Sequence, residues 1–277
     1  MTGRNSEAIR DFQACADRAD DYVGAASDGD SKRRKLQRRE SEDLMARCQA
    51  GVARTMYQQN RFEDADRAYD RISKQSFVWP DILFEQAWNA FGKQEYNRSL
   101  GKLVSYKSPA LSFVYNSEVD VLRAQSYLAL CLYGDANEVV NEFNSKYAGV
   151  GQEVKRFVEG NNSSLASFHD RGKQALRGPL TGRSAFDKML NRFVRGPYFQ
   201  NLVHSEWAVS SELQAARQFG RASVGGSDAG KGFAGFLEQV LSWRVRSIRW
   251  LGGAFVKNSL MDYHAALLAD FDKMSFI

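Results

Sequence analysis

Three cysteines and three histidines are the side chains of this 277-residue chain best suited to nucleophilic or metal chemistry: Cys15, Cys48, Cys131, His169, His204 and His264. A thiol attacks once a neighbouring base takes its proton, and zinc asks for closely spaced Cys and His ligands. None of the six has that spacing. There is no CxxC pair, no two histidines share a helical turn, and an odd number of cysteines cannot all be joined internally. The pattern argues against a disulfide framework and casts each cysteine as a buried thiol that packs as a small hydrophobe. No catalytic residue, metal or cofactor is therefore expected.

Two further segments could meet phosphate. GGSDAGKG places Gly225, Gly230 and Lys231 at the spacing of a phosphate-cradling loop, G-x-x-x-x-G-K-[ST]. The next residue, Gly232, lacks the hydroxyl that holds magnesium, and the preceding SSELQAARQFGRASV reads as a helix where the motif needs a strand. The segment is read as a flexible link between two long helices. The second segment is the acid-free run Lys32, Arg33, Arg34, Lys35, Arg38 and Arg39. These six carry the whole basic excess, since the other 32 basic residues face 33 acidic ones. A broad nucleic-acid-binding face is thus disfavoured, and the run is expected on an exposed segment.

The elements that must position any site are helical. Only Pro80, Pro109, Pro179 and Pro197 interrupt the chain, leaving long stretches rich in Ala, Leu, Gln, Glu and Arg. A β-sandwich would need turn chemistry every 8–12 residues or so. No apolar run approaches the ~18–20 residues needed to cross a bilayer, and the N-terminal MTGRNSEAIRDF lacks a signal peptide's apolar segment.

An internal repeat organises the middle of the chain. RFEDADRAY, EYNRSLGKL and YGDANEVV align, so that Phe62, Tyr96 and Tyr133 each precede a small residue by three positions: Ala65, Ser99 and Ala136. Twelve residues earlier stand Ala53, Ala87 and Ala124, and the copies are spaced by 34 and 37 residues, close to the tetratricopeptide period. Such units are helix–turn–helix pairs. Small side chains let helix A approach helix B of its own and the next unit, and the aromatic fills the space between. Large apolar residues follow four positions on, at Tyr69, Leu103 and Val140.

WPDILFEQAW at 79–88, LGKLVSYKSPAL at 100–111 and SEVDVLRAQSYLALCLYGDA at 117–136 carry a resemblance. Through Trp79, Pro80, Glu85, Ala87, Trp88, Leu100, Gly101, Ser108, Pro109, Glu118, Leu122, Ala124, Cys131 and Tyr133, the chain resembles tetratricopeptide-repeat proteins of the deltaproteobacterial cell envelope, such as those of adventurous gliding motility. The match covers about residues 45–145. It implies a periplasmic scaffold in an envelope assembly with no catalytic residues to carry over; the absent signal segment leaves a cytoplasmic setting as the alternative. Cys131 is assigned a packing role.

The expected fold class is all-α, a tetratricopeptide-like array followed by long C-terminal helices. Residues 1–44 are read as an N-terminal helix and basic segment, 45–147 as three repeats, and 148–277 as a helical C-terminal region. Ser6 is read as capping a first helix with the stripe Ile9, Phe12, Ala16, Ala19 and Val23. Tyr198 to Ala216 marks a long helix and Phe233 to Phe255 another, the apolar spacing continuing through Leu260 to Met274. The chain is still apolar at Phe276 and Ile277, so a further segment is expected.

The expected function is a scaffold that receives a protein or peptide in a concave groove, with an adaptor using the basic run on nucleic acid or anionic membrane as the alternative. No small-molecule substrate is expected. In tetratricopeptide repeats the groove is drawn mainly from helix A, three residues before, one beyond and four beyond its small residue. Those positions are Ala50, Arg54 and Tyr57, then Phe84, Trp88 and Phe91, then Val121, Gln125 and Leu128. Arg54, Tyr57, Phe84, Trp88, Phe91 and Gln125 are the candidate partner-binding residues.

Overall fold

The computed structural model describes residues 4–25, 32–111, 114–161, 164–178, 183–222 and 228–277. Among them the regular structure is helical throughout: α1 (Asn5–Ala25), α2 (Lys32–Gln58), α3 (Phe62–Tyr69), α4 (Trp79–Gly92), α5 (Tyr96–Val104), α6 (Glu118–Ala129), α7 (Tyr133–Gly160), α8 (Leu165–Leu176), α9 (Ala185–Val194), α10 (Pro197–Ala222) and α11 (Asp228–Met274). Two compact units divide the chain, Met1–Phe143 with Lys273–Ile277, and Asn144–Asp272.

In the first unit, three helix pairs are joined by turns of one geometry. Asn60, Gln94 and Cys131 have φ of 58°, 63° and 60°, the left-handed region, at the 34- and 37-residue spacings of the repeat. Each donates its N–H to the carbonyl three residues back, Tyr57, Phe91 or Leu128, at 2.9 Å. The next residue donates to the carbonyl five back, Met56, Ala90 or Tyr127, which caps the ending helix in the Schellman manner. The new helix then starts on Arg61, Glu95 or Leu132, whose carbonyls accept from Ala65, Ser99 and Ala136. The three-residue difference in spacing falls where two 3-10 turns, Ser105–Lys107 and Pro109–Leu111, follow α5.

All six small positions of the repeat are closed to solvent, from Ala53, Ala65, Ala87, Ser99 and Ala124 at 0% exposure to Ala136 at 1%. Ala53, Ala65 and Ala87 sit in clusters where helices meet. Ala46, Ala50 and Ala53 of α2 meet Ala65, Ala68 and Tyr69 of α3 in one cluster, and Phe84 and Ala87 of α4 meet Leu103, Val119 and Leu122 in another. Substituting Ala87 or Ala124 by Leu is expected to lower stability by roughly 1–3 kcal/mol, because the added methyl groups have no void to enter. Thermal unfolding is the check, and unchanged midpoints in both variants would refute the register.

Several expectations are corrected. Cys15 and Cys48 are joined as a disulfide between α1 and α2, with Cα atoms 5.8 Å apart, because the two helices pack face to face. Cys131 is exposed at a turn instead of taking the packing place assigned to it. Tyr133 is also exposed, so only Phe62 and Tyr96 fill space beside the turn, and Val139 takes the buried place expected of Val140. Ser6 lies within α1 instead of capping it, and Phe12 packs over Gly51 of α2 while staying partly exposed. The basic run does not precede the repeats as a separate segment but forms the first turns of α2, the same helix that carries Ala53. Of that run Arg38 and Arg39 are exposed, Arg38 pairing with Glu42 at 2.9 Å; the side chains of Val23, Lys32, Arg33, Arg34 and Lys35 lie outside the described residues.

The apolar spacing from Phe233 to Met274 belongs to one uninterrupted helix, α11. Gly225 lies outside the described residues, and Gly230 and Lys231 fall in the first turn of α11. Ser164 and Ser184 cap α8 and α9, their hydroxyls accepting from the N–H of Ser167 and Asp187.

Candidate functional site

The candidate residues lie on α2, α4 and α6, and the structure sorts them by position within the turn of the helix. Those three residues before the small one are buried: Ala50, Phe84 and Val121. Phe84 is therefore withdrawn from the surface, because α6 lies against it with Val119 and Leu122. The positions one and four beyond stay open in part. Arg54 is exposed, while Tyr57, Trp88, Phe91, Gln125 and Leu128 are half-buried.

Rings run along α4 edge to face. Phe84 and Trp88 are 6.4 Å apart between centroids, Trp88 and Phe91 5.7 Å, and Phe91 and Tyr96 at the start of α5 5.2 Å. Each ring steadies the next by quadrupole attraction and buried area. Trp88 and Phe91 pack against a cluster closed from below by Leu103, Val119 and Leu122, with Tyr106 alongside. Tyr57 packs on Phe62 at 5.6 Å.

Arg54 is already engaged. Its Nε and Nη2 donate to the Glu85 carboxylate at 2.9 and 2.6 Å, a two-point fork linking α2 to α4. That hydrogen bond holds the guanidinium proton more firmly than usual despite partial burial. The Tyr69 hydroxyl donates to the same carboxylate at 3.1 Å, and burial followed by the Glu85 charge pushes it above its ordinary value.

A polar seam beside this surface went unread in the sequence. Asn89, fully buried, donates to Asp66 Oδ1 at 2.8 Å and to the Phe62 carbonyl at 2.9 Å, while Asp66 Oδ2 accepts from Arg98 at 3.0 Å. Gln86 donates to Asp70 and accepts from Lys102, each at 3.0 Å. These groups tie α3, α4 and α5 to one another, and their signal in sequence is only a polar residue on an otherwise apolar helix.

The second unit holds a charge cluster around a buried His169–Glu206 pair that the histidine spacing did not disclose. His169 Nε2 lies 3.0 Å from Glu206 Oε2, and Lys173 Nζ donates to the same oxygen at 2.6 Å. Arg249 of α11 donates to both oxygens of Asp170 at 2.8 and 2.7 Å. The His169 ring has no exposed surface, so it joins α8 to α10 and cannot meet a substrate in this conformation. Burial drives the Glu206 carboxyl up, but the hydrogen bonds from Lys173 and His169 outweigh it and hold the carboxyl below its ordinary value of about 4.5.

A carboxylate held below its unfolded value stabilises the fold above that value, and the contribution is lost as pH falls through the lowered one. Stability is thus expected to drop below about pH 4.5, and Glu206→Gln to flatten this limb while costing about 2 kcal/mol at neutral pH. Urea unfolding at a series of pH values measures both; a parallel limb in the variant would exclude Glu206 as its source.

Among the described residues, no group of three or more His, Cys, Asp or Glu side chains is placed to hold a metal ion, and no helix is long and apolar enough to cross a membrane. Comparison of the chain with family models, with curated proteins and with solved structures finds no match.

Proposed function

We propose that this chain is a non-catalytic scaffold for protein contacts, in which residues 45–147 act as a tetratricopeptide-like array and the α2, α4 and α6 side receives a peptide or partner helix. The observation that carries this reading is the threefold recurrence of one turn, with the same φ, the same capping bonds and the same closed small positions. Equal turns stack equal units, and stacked units present helix A of each in a row.

The anchor in this reading is the half-open edge of Trp88 and Phe91, flanked by Tyr57 and Gln125, with the Arg54–Glu85 fork at its border. Large rings that are held by neighbours yet keep an open edge lose little freedom on binding. A setting in the cell envelope is supported by the Cys15–Cys48 disulfide, which persists in oxidising compartments.

Panning a displayed peptide library on the whole protein tests the site. Selected peptides should lose at least about tenfold in affinity to the Trp88→Ala variant, and their affinity should hold between low and physiological salt. Undiminished binding to the folded variant would rule out this anchor. A steep loss with salt would instead favour the basic run of α2 acting on a polyanion.

A further inference from the structure

The fold divides the chain's charge unevenly. The first unit holds 21 basic and 22 acidic residues, so the run at 32–39 is offset within its own unit. The second holds 17 basic residues against 11 acidic ones. That whole excess lies within residues 171–195, where seven basic residues accompany a single acid, Asp187. The segment is the α8–α9 hairpin.

Its own acids are already engaged. Asp170 and Asp187, the only acids of α8 and α9, are taken by Arg249 and Arg171, while Lys173 is held by Glu206. Arg177, Lys188 and Arg195 make no ion pair among the described residues. Arg183 gives one N–H to the Ala175 carbonyl at 2.7 Å, an uncharged acceptor that leaves its charge in place. Four cations therefore stand without a counter-ion.

The backbone gathers them on one hairpin. In α9, Phe186, Met189, Leu190 and Val194 are buried, so Lys188 and Arg195, seven residues and about 10 Å apart, share the opposite side. At the other end, Arg177 leaves α8 in extended backbone and is exposed, and Gly178 follows with φ of 75°. The Arg183 guanidinium reaches back over that glycine, its Nη2 3.5 Å from where a Cβ would stand. Asn191 of α9 donates to the same Ala175 carbonyl at 2.6 Å, which fixes the two ends of the patch against each other.

We propose that this α8–α9 surface docks on a bilayer of anionic lipid, with Arg177, Arg183, Lys188 and Arg195 meeting the phosphate headgroups. Arginine offers several N–H donors to a phosphate and stays charged, and fixed cations near a negative bilayer gain from its surface potential. A nucleic acid presents the same phosphates. The bilayer is favoured because the Cys15–Cys48 bond belongs to an oxidising compartment, away from the reducing cytosol and nucleus. That choice rests on the envelope setting proposed above, whereas the charge surface does not.

Cosedimentation of the whole chain with vesicles tests the surface. At low salt the protein should pellet with vesicles of equal parts phosphatidylglycerol and phosphatidylcholine and remain in solution with phosphatidylcholine alone. Arg177→Gln, Lys188→Gln and Arg195→Gln combined should weaken binding at least about twentyfold, since each base near such a surface is worth roughly fivefold. Helicity and the thermal midpoint should not change, because none of the three side chains holds a partner. Removing the same charge by Lys35→Gln, Arg38→Gln and Arg39→Gln should alter binding less than about threefold. A parent that ignores anionic vesicles overturns the proposal, as does a combined α8–α9 variant that binds like the parent. Equal losses in both variants would show attraction by net charge alone and overturn the assignment to this hairpin. Tighter binding to duplex DNA than to the vesicles would overturn the lipid. Peptide capture at Trp88 uses other residues, so failure here leaves that site standing.

Discussion

Replacing Gly253 by Val is expected to lower the stability of the second unit by roughly 3–5 kcal/mol. The cause lies in how closely α11 crosses α8. A Cβ on Gly253 would stand 2.0 Å from the Leu165 carbonyl oxygen, and one on Gly252 would stand 2.2 Å from His169 Nδ1. The first obstacle is backbone in the first turn of a capped helix, which cannot swing aside as a flexible side chain could. The second is a fully buried ring already committed to Glu206. Gly172 of α8 completes the crossing, with the Phe199 ring 2.6 Å from where its Cβ would be.

Separation of the two helices would also pull Arg249 from Asp170. The loss would therefore exceed that of a single methyl group. Gly235→Ala supplies the control, because nothing lies within 4 Å of its Cβ and alanine favours a helix by about 1 kcal/mol over glycine. Urea unfolding of both variants decides the matter. A Gly253→Val protein as stable as the parent would mean that α8 and α11 do not cross as described.

Reducing the Cys15–Cys48 bond, or replacing Cys15 by Ser, is expected to cost roughly 3–4 kcal/mol, the loop-entropy value for a link across 33 residues. The price falls mainly on α1. Its own hold on α2 consists of Ala16 and Ala19, Ile9 at the edge of the core, and the Phe12 ring over Gly51. Without the link, α1 should detach before the repeats unfold, seen as early amide exchange confined to α1. Intact mass after alkylation offers a direct reading: one modified thiol in the native protein, at exposed Cys131, against three after reduction. Three modified thiols without reductant would show that the bond does not form.

The repeated small residues could be read in the sequence because the demand that creates them is local and periodic. Wherever one helix turns back on another, only Ala or Ser fits the near point, and the chain states that requirement three times at nearly equal intervals. Helix content and the burial of those six positions follow from that pattern. The turn residues Asn60, Gln94 and Cys131 share the same spacing but differ in type, so no residue pattern marked them; only backbone shape shows their equivalence.

What the tertiary structure alone decided involves partners distant along the chain. Phe84 faces inward because α6 happens to meet it, although its spacing equals that of open positions on the same helix. Cys15 and Cys48 bond because α1 lies along α2, a contact that cysteine spacing cannot encode. His169 and Glu206 became one buried pair, and Gly252 with Gly253 became a crossing point, through the packing of α8, α10 and α11. Periodicity tells which side of a helix is apolar, since each side chain's direction follows from its own backbone. It does not tell which helix will cover that side, because that choice is made by the free energy of the whole packed unit.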